Sequence, residues 1–223
     1  MSITPPRDEA HLLARAHAWA GATVAELAAA HGRPVPRDLQ RHKGWLGELM
    51  ECALGADASS RPVPDFTTLG IELKTIPIAA DGRPRESTHV CSVALGDLVG
   101  QRWLTSTVRL KLSRVLWVPV EVRGNLPLAE RRLGVARLWS PDAAQERVLR
   151  ADWEEHMEIL ATGRFDQLDA RLGVYLQIRP KAANGRALTA AGDSGGAPAA
   201  TLPRGFYLRP SFTHALLQLG QGA

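Results

Sequence analysis

A change in hydrophobic spacing after the first 64 residues constrains the fold of this chain more than any other feature. Up to that point, the stretches 8–20, 23–32 and 44–56 carry apolar side chains at the spacing of amphipathic helices. Beyond it, "IELKTIPI" (71–78) alternates apolar and polar residues, which is the two-residue period of a strand. This order predicts an α/β fold in which helices precede, separate and follow a small mixed sheet.

Capping signals mark the ends of the predicted helices. Thr23 and Glu26 have the spacing of a capping box, which favours a helix start at this point. Gly21, Gly32 and Gly55 follow the three apolar runs and are expected to end the helices.

Further apolar stretches predict the rest of the sheet. An Asp-Gly turn at 81–82 and the stretch "STHVCSVAL" (87–95) predict a hairpin partner for the strand at 71–78. The remaining predicted strands are "VLWVPVEV", "GVYLQIRPK" and "RGFYLRP". Alternation within the last strand places Phe206 in the core and Tyr207 on the opposite face.

The charge of the chain permits a polyanionic partner without requiring one. Lysine and arginine total 27 against 23 acidic residues, a net charge of +4. Only four of the 27 are lysines: Lys43, Lys74, Lys111 and Lys181. A chain that otherwise uses arginine so heavily indicates, weakly, that these positions need a compact ammonium group.

Other classes of protein are excluded by the absence of their signals. No apolar run is long enough to cross a bilayer, and the N-terminus has no signal-peptide pattern, so we expect a soluble, cytoplasmic protein. Cys52 and Cys91 lack metal-site spacing and are expected to be buried free thiols. Four tryptophans are expected in the core: Trp103, Trp117, Trp139 and Trp153.

The chemistry of the chain is concentrated in "DFTTLGIELKT" (65–75). Glu72 and Lys74 are two positions apart, so both project from one face of the strand, and Asp65 could fold its carboxylate back toward Glu72. Glu51, on the third helix, adds a third candidate carboxylate. Carboxylates beside an ammonium suit a hydrated Mg²⁺ ion, which can polarise a phosphoryl oxygen and activate water.

A structural interpretation of the same residues is an exposed strand that carries an incidental ion pair. The D-x6-E-x-K pattern alone is short and degenerate. The apolar residues around it favour a site, because they bury the other face of the strand and make its charged face costly without a function. These neighbours are Phe66, Leu69, Ile71, Leu73 and Ile76.

Longer motifs indicate which protein family this pattern resembles. It resembles the D…(D/E)xK core of type II restriction endonucleases, and the chain is similar to the MutH family of DNA mismatch repair endonucleases from about Asp8 to Leu217. The motifs that carry this resemblance are "KGWLGELMECALGA", "DFTTLGIELKTIPI", "VRLKLSRVLWVPVE", "VYLQIRPKAANGRAL" and "LPRGFYL".

The resemblance implies a single nuclease domain over residues 1–223, with a restriction-endonuclease-like mixed central sheet flanked by helices. Its two lobes, a helical and catalytic part at about 1–105 and a DNA-reading part at about 106–223, would surround a DNA cleft. It also implies a catalytic core whose metal ligands are Asp65, Glu72 and Glu51, with Lys74 assisting the nucleophile.

The resemblance assigns DNA-binding residues as well. Lys111 matches a basic residue near the active centre, and Lys43 matches another in the cleft that faces DNA. Arg179, Lys181 and Tyr207 match the part that reads the GATC sequence and its methylation. All three lysines other than Lys74 therefore fall in motifs that face DNA.

The implied activity is a Mg²⁺-dependent endonuclease that nicks the unmethylated strand of hemimethylated GATC in methyl-directed mismatch repair and leaves a 5′-phosphate. A monomer suits a nickase, because one active site cuts one strand. The resemblance implies activation by MutL with ATP, after MutS has found a mismatch. The alternatives are a GATC-specific restriction endonuclease that cuts both strands, and a DNA-binding module that has lost catalysis.

The chain also departs from the family pattern. His89 stands where the family is expected to carry phenylalanine, and Ser113 replaces a usual second lysine. The segment "GDLVGQ" (96–101) looks shortened, and the tail after Leu219 is short and rich in glycine.

Overall fold

The computed structural model describes residues 3–38, 42, 44–59, 61–93, 98, 100–169, 171–181, 189–191, 199–201 and 203–218. The helices in these residues are α1 (Glu9–Ala18), α2 (Val24–Ala30), α3 (Trp45–Leu54), α4 (Thr107–Leu112), α5 (Ala143–Ala161) and α6 (Pro210–Gln218). The strands are β1 (Glu72–Ile78), β2 (Thr88–Ser92), β3 (Val115–Glu121), β4 (Arg137–Trp139), β5 (Leu176–Pro180), β6 (Thr189–Ala191), β7 (Ala199–Thr201) and β8 (Arg204–Leu208). The predicted mixed α/β composition is confirmed.

The chain forms two compact units that interleave in sequence. Unit 1 comprises Met1–Glu86, Ser113–Ser140 and Leu216–Ala223, and unit 2 comprises Ser87–Leu112 and Pro141–Ala215. Strand β3, which follows unit 2 residues Ser87–Leu112 in the chain, pairs with β1 in unit 1. The described residues form two three-stranded sheets and the two-stranded sheet β6–β7.

Unit 1 joins helices α1, α2 and α3 to the sheet β1–β3–β4 through one hydrophobic core. Strand β3 lies in the middle of the sheet, parallel to β1 and antiparallel to β4. Its first six residues are all buried, as expected for a central strand that is covered on both faces. The capping box predicted at Thr23 and Glu26 is present at the start of α2.

The predicted hairpin between strands 71–78 and 87–95 is wrong. The Asp-Gly turn does fold the chain back, and Ile78 forms a bridge with Pro84. The antiparallel pairing does not continue beyond this bridge, because β1 pairs with β3 and β2 pairs with β8 in unit 2. Pairing over a long sequence separation, rather than the local turn, therefore decides both sheets.

Unit 2 contains an antiparallel sheet in the order β2–β8–β5 and the long helix α5. Strand β8 lies in the centre, where Phe206 is 3% exposed and Tyr207 is partly exposed, as the alternation predicts. Helix α5 begins at a capping box formed by Asp142 and Gln145.

Several smaller predictions can be compared with the described residues. The four tryptophans are buried. Both cysteines are free, but only Cys91 is buried, since Cys52 lies on the exposed side of α3. No helix in the described part of the chain combines the length and apolarity needed to span a membrane.

Candidate active site

A tight turn brings Asp65 back against strand β1. Phe66 and Ile71 exchange two backbone hydrogen bonds, at 2.9 and 3.3 Å, and Gly70 supplies the left-handed conformation with φ = 65° that closes the turn. The Oδ2 atom of Asp65 accepts a hydrogen bond of 2.7 Å from the backbone N–H of Leu73. The turn thus places Asp65 beside Glu72 despite their separation in sequence.

A second acidic residue, Asp57, supports this turn. The backbone N–H of Asp57 donates to the carbonyl oxygen of Asp65 at 3.0 Å. The Asp57 carboxylate accepts hydrogen bonds from the hydroxyl of Thr67 at 2.6 Å and from its N–H at 2.8 Å. These bonds lower the pKa of Asp57 below its ordinary value of 3.8.

Glu72 and Lys74 form an ion pair on one face of β1. The Nζ atom of Lys74 lies 2.6 Å from Oε1 of Glu72, and the two side chains are 14% and 2% exposed. A carboxylate as buried as Glu72 needs a partner of opposite charge, because burial of an unpaired charge is strongly unfavourable. The alternative of an exposed strand with an incidental ion pair is therefore wrong for these residues.

Glu51 is held near this pair by helix α3, which packs against β1. Its side chain is partly buried, and this desolvation is the main cause that raises its pKa above the ordinary value of 4.5. The negative charges of Asp65 and Glu72 raise the pKa further, whereas the positive charge of Lys74 opposes the rise. Unit 1 therefore brings together the four residues predicted as catalytic.

The donor set at this point suits a hydrated hard cation. Across the residues that the structure describes, no group of three His, Cys, Asp or Glu side chains is already arranged to hold a metal ion. Mg²⁺ does not require such a cage, since it usually binds through one or two carboxylates and keeps several waters. The repulsion that raises the pKa of Glu51 is also a feature that a bound cation would relieve. The carboxylates therefore fit a hydrated Mg²⁺ ion.

A polar face of the sheet in unit 2 carries three of the predicted DNA-binding residues. Tyr207 lies in the central strand β8, opposite His89 of β2 on one side and Gln177 of β5 on the other. The rings of His89 and Tyr207 meet edge to face, with centroids 5.1 Å apart. A Cβ atom added at Gly205 would come within 3.2 Å of both rings, so a glycine at this position allows them to pack together.

Arg179 and Lys181 are exposed, and each donates a hydrogen bond to a serine. Nη1 of Arg179 lies 3.2 Å from the hydroxyl of Ser87, and Nζ of Lys181 lies 2.7 Å from the hydroxyl of Ser92. Neither serine stands out in the sequence, since an isolated serine in a strand pattern carries no signal of function.

The two remaining predicted DNA-binding residues are Lys111 and Lys43. Lys111 is partly buried in the last turn of α4, in unit 2. Lys43 lies outside the described residues, as do Gly96, Asp97 and Val99 of "GDLVGQ" and the tail from residue 219. Ser113 is exposed, and its carbonyl oxygen accepts a hydrogen bond of 2.7 Å from the hydroxyl of Ser140.

Asp152, on helix α5, is only 4% exposed although its neighbours along the helix are charged. Its carboxylate accepts hydrogen bonds of 2.8, 2.6 and 2.8 Å from the backbone N–H groups of Val174, Tyr175 and Leu176. Asp152 therefore fixes the start of β5, the strand that carries Arg179, to helix α5.

The arrangement defines a class of protein: a mixed α/β chain in which a turn holds Asp65 against a strand that carries the buried pair of Glu72 and Lys74, in a spacing that resembles the D…(D/E)xK pattern. The family model described as "DNA mismatch repair enzyme MutH" matches residues 54–152. DNA mismatch repair protein MutH of Vibrio parahaemolyticus is 56% identical over 212 residues, which cover 95% of this chain and 94% of that protein. The MutH proteins of Salmonella paratyphi B and Salmonella newport are each 54% identical over 215 residues, which cover 96% of this chain and 93% of each relative. The chain belongs to the MutH family of DNA mismatch repair enzymes.

Proposed function

We propose that this chain is the endonuclease of methyl-directed mismatch repair and nicks the unmethylated strand at hemimethylated GATC sites. The observation that carries the proposal is the Glu72–Lys74 pair with Asp65 folded onto the same strand, in a chain that belongs to the MutH family. Water would attack the phosphorus in line, the bond from phosphorus to the 3′ oxygen would break, and the products would be a 5′-phosphate and a 3′-hydroxyl.

Asp65 and Glu72 are the residues that would hold Mg²⁺, with Glu51 as an additional carboxylate. When bound, the ion would polarise the scissile phosphate and lower the pKa of a coordinated water. The turn at 66–71 keeps the Asp65 carboxylate against β1, and the ion pair with Lys74 keeps the Glu72 carboxylate in place. The protein therefore supplies fixed oxygen donors before substrate arrives, which is the condition for electrostatic catalysis.

Lys74 contributes a positive charge whose position is set by Glu72. An ammonium at this point can orient the attacking water and offset the negative charge that develops on the phosphoryl oxygens. Because Lys74 remains 14% exposed, its remaining N–H donors can reach a substrate phosphate.

Recognition is assigned to the polar face of unit 2, through Tyr207, Arg179 and Lys181. An N6-methyl group removes one donor from adenine in the major groove and adds bulk. Close packing of Tyr207 against the unmodified base would reject that bulk. Arginine is suited to guanine, because its guanidinium can donate two hydrogen bonds to O6 and N7.

The rest of the proposal follows from the family. It comprises a restriction-endonuclease-like fold with a DNA cleft contacted by Lys43 and Lys111, and a monomer that acts in the cytoplasm. Activation by MutL with ATP, downstream of MutS, belongs to the same proposal.

The test compares nicking of duplexes that carry unmethylated, hemimethylated or fully methylated GATC, with and without MutL and ATP. We expect Mg²⁺-dependent nicking of the unmethylated strand and none of the fully methylated duplex. Supercoiled plasmid should become nicked circles; direct conversion to linear DNA would favour a restriction endonuclease. Binding to GATC without cleavage would favour a DNA-binding module that has lost catalysis.

A further inference from the structure

The hydroxyl of Ser87 links two residues of strand β5. It accepts a hydrogen bond of 2.7 Å from Nε2 of Gln177 and another of 3.2 Å from Nη1 of Arg179. Gln177 and Arg179 are two positions apart, so both side chains lie on the polar face of this sheet. The three side chains form a short hydrogen-bonded chain, which we call the Ser87 relay.

The members of the relay differ in burial, and this difference suggests what the relay does. Gln177 is 5% exposed, whereas Arg179 is exposed. A hydroxyl oxygen has two lone pairs, so Ser87 can accept both bonds at once. The buried amide therefore fixes the hydroxyl, and the hydroxyl in turn restrains an exposed guanidinium.

Restraint of the guanidinium matters for base reading. A free arginine side chain loses considerable rotamer freedom when it binds, and a paired contact with guanine requires the plane of the guanidinium to be correctly oriented. A hydroxyl that binds one Nη atom leaves the other N–H donors of the guanidinium available. The relay also lies beside Tyr207, which is in register with Gln177.

We propose that Ser87 and Gln177 are positioning residues that orient the Arg179 guanidinium and so contribute to sequence specificity. The inference rests on the proposed function, which assigns Arg179 to DNA recognition. Loss of the relay should reduce discrimination between sequences more than it reduces non-specific affinity, because non-specific binding comes mainly from phosphate contacts.

The experiment compares Ser87→Ala, Ser87→Thr and Gln177→Leu with the wild-type chain and with Ser211→Ala, a control at an exposed serine of α6. The readout is the ratio of affinities for GATC and for duplexes with one substituted base pair, in Ca²⁺ to prevent cleavage. Ser87→Ala should lower this ratio about tenfold, with little change in melting temperature or non-specific affinity. Ser87→Thr, which retains the hydroxyl, should restore the ratio, and the Ser87→Ala/Gln177→Leu double variant should be little worse than either single variant.

A second measurement does not depend on GATC. The ¹⁵N spectrum of the Arg179 guanidinium, assigned by its loss in Arg179→Lys, reports rotation about the Nε–Cζ bond. We expect slow rotation in the wild type and Ser87→Thr, and fast rotation in Ser87→Ala. Unchanged rotation in Ser87→Ala, or an unchanged specificity ratio in a chain that prefers GATC, would overturn the relay. A wild-type chain without any preference for GATC would instead refute the proposed function, and the spectra would still decide whether the relay positions Arg179.

Discussion

The two polar regions of this molecule hold their charged groups in opposite ways. In unit 1, Glu72 and Lys74 are 2% and 14% exposed and bind each other directly. In unit 2, Arg179 and Lys181 are exposed, and the partner of each is a neutral serine hydroxyl. The first region is a preformed set of opposite charges, and the second is a set of exposed cations that donate hydrogen bonds to neutral hydroxyls.

This difference matches two kinds of chemistry. Catalysis needs charges that are fixed before the reaction, in surroundings where water screens them little. Recognition of a polyanion needs cations that stay accessible and exchange weak neutral partners for phosphates or bases. Variants that remove one charge at a time should therefore affect stability and chemistry in unit 1, and affinity or specificity in unit 2.

The largest effect is expected from Lys74→Ala. Nicking should fall by about 10²- to 10⁴-fold, because a group that acts on the nucleophile is lost. The variant should also unfold more easily, by about 3–5 kcal/mol, since Glu72 would be left as a buried charge without its partner. Single-turnover nicking and urea unfolding measure the two effects, and GATC binding should survive under conditions where the variant is folded.

Arg150→Ala is the matched control for Lys74→Ala, because it breaks an exposed ion pair with Glu154. It should change stability by less than about 1 kcal/mol and leave nicking intact. The double variant Glu72→Gln/Lys74→Met should recover stability and remain inactive. A double variant that nicks, or a Lys74→Ala variant that does, would show that the buried ion pair has no part in catalysis.

Glu51→Gln should lower nicking by about 10- to 100-fold, as expected for a residue that supports metal ligands. Without metal at neutral pH, however, the variant should be more stable than the wild type. The raised pKa of Glu51 means that its charged form is disfavoured in the folded state. This unfavourable contribution is present above the folded pKa and disappears as the pH falls to the ordinary value of 4.5.

Unfolding curves of the wild type and of Glu51→Gln from pH 7 to pH 4 test the expected difference in stability. The stability advantage of Glu51→Gln should shrink as the pH falls, and Mg²⁺ should stabilise the wild type more than the variant. A variant that is less stable than the wild type at pH 7 without metal would contradict the raised pKa of Glu51, which burial and the nearby carboxylates cause.

Sequence reasoning succeeded where the determinant is local. The helix caps, the buried tryptophans and the common face of Glu72 and Lys74 all follow from spacing within a few residues. The approach of Asp65 to β1 was predicted from its place before the strand, and the hydrogen bond to Leu73 confirms it. The catalytic roles of these residues stay predictions.

Sequence reasoning failed where distant segments decide the outcome. The hairpin prediction was wrong because β1 and β2 each have a long-range partner, which a turn motif does not reveal. The sequence around Asp152 gives no sign of its burial, because its neighbours on α5 are charged and the backbone N–H groups that bind its carboxylate lie more than twenty positions away. The role of Ser87 is also decided by a distant segment, since its two hydrogen-bond partners lie in β5.

Tyr207→Ala should reduce the discrimination between hemimethylated and fully methylated GATC by about 1–3 kcal/mol, which is about 5- to 150-fold. The aromatic ring is lost from a face where it packs beside His89, so the bulk of a methyl group is no longer rejected. Competition binding with the two duplexes measures the change, and Tyr207→Phe separates the hydroxyl from the ring. Unchanged discrimination in Tyr207→Ala would remove this residue from methyl sensing.

Acid pH should affect unit 2 in the direction opposite to the carboxylate site. Burial lowers the pKa of His156 below its ordinary value of 6.5, although its bond to the Asp152 carbonyl opposes the shift. As the pH falls below 6.5, the unfolded state takes up a proton that the folded state does not, so stability decreases by at most about 1.4 kcal/mol per pH unit. Hydrogen exchange in β5 between pH 8 and pH 5 should show this loss. His156→Gln should reduce this pH dependence.

The smallest effect is expected from Lys111→Ala. This lysine lies at the end of α4 and is assigned to the DNA backbone, so its loss should weaken binding several-fold for GATC and unrelated duplexes alike. The slope of log K against log salt concentration should fall by about one unit, as expected when one phosphate contact is lost. Specificity should stay constant, in contrast to Ser87→Ala. A Lys111→Ala variant that changed the preference for GATC but left the salt slope unchanged would place this lysine with the base-reading residues.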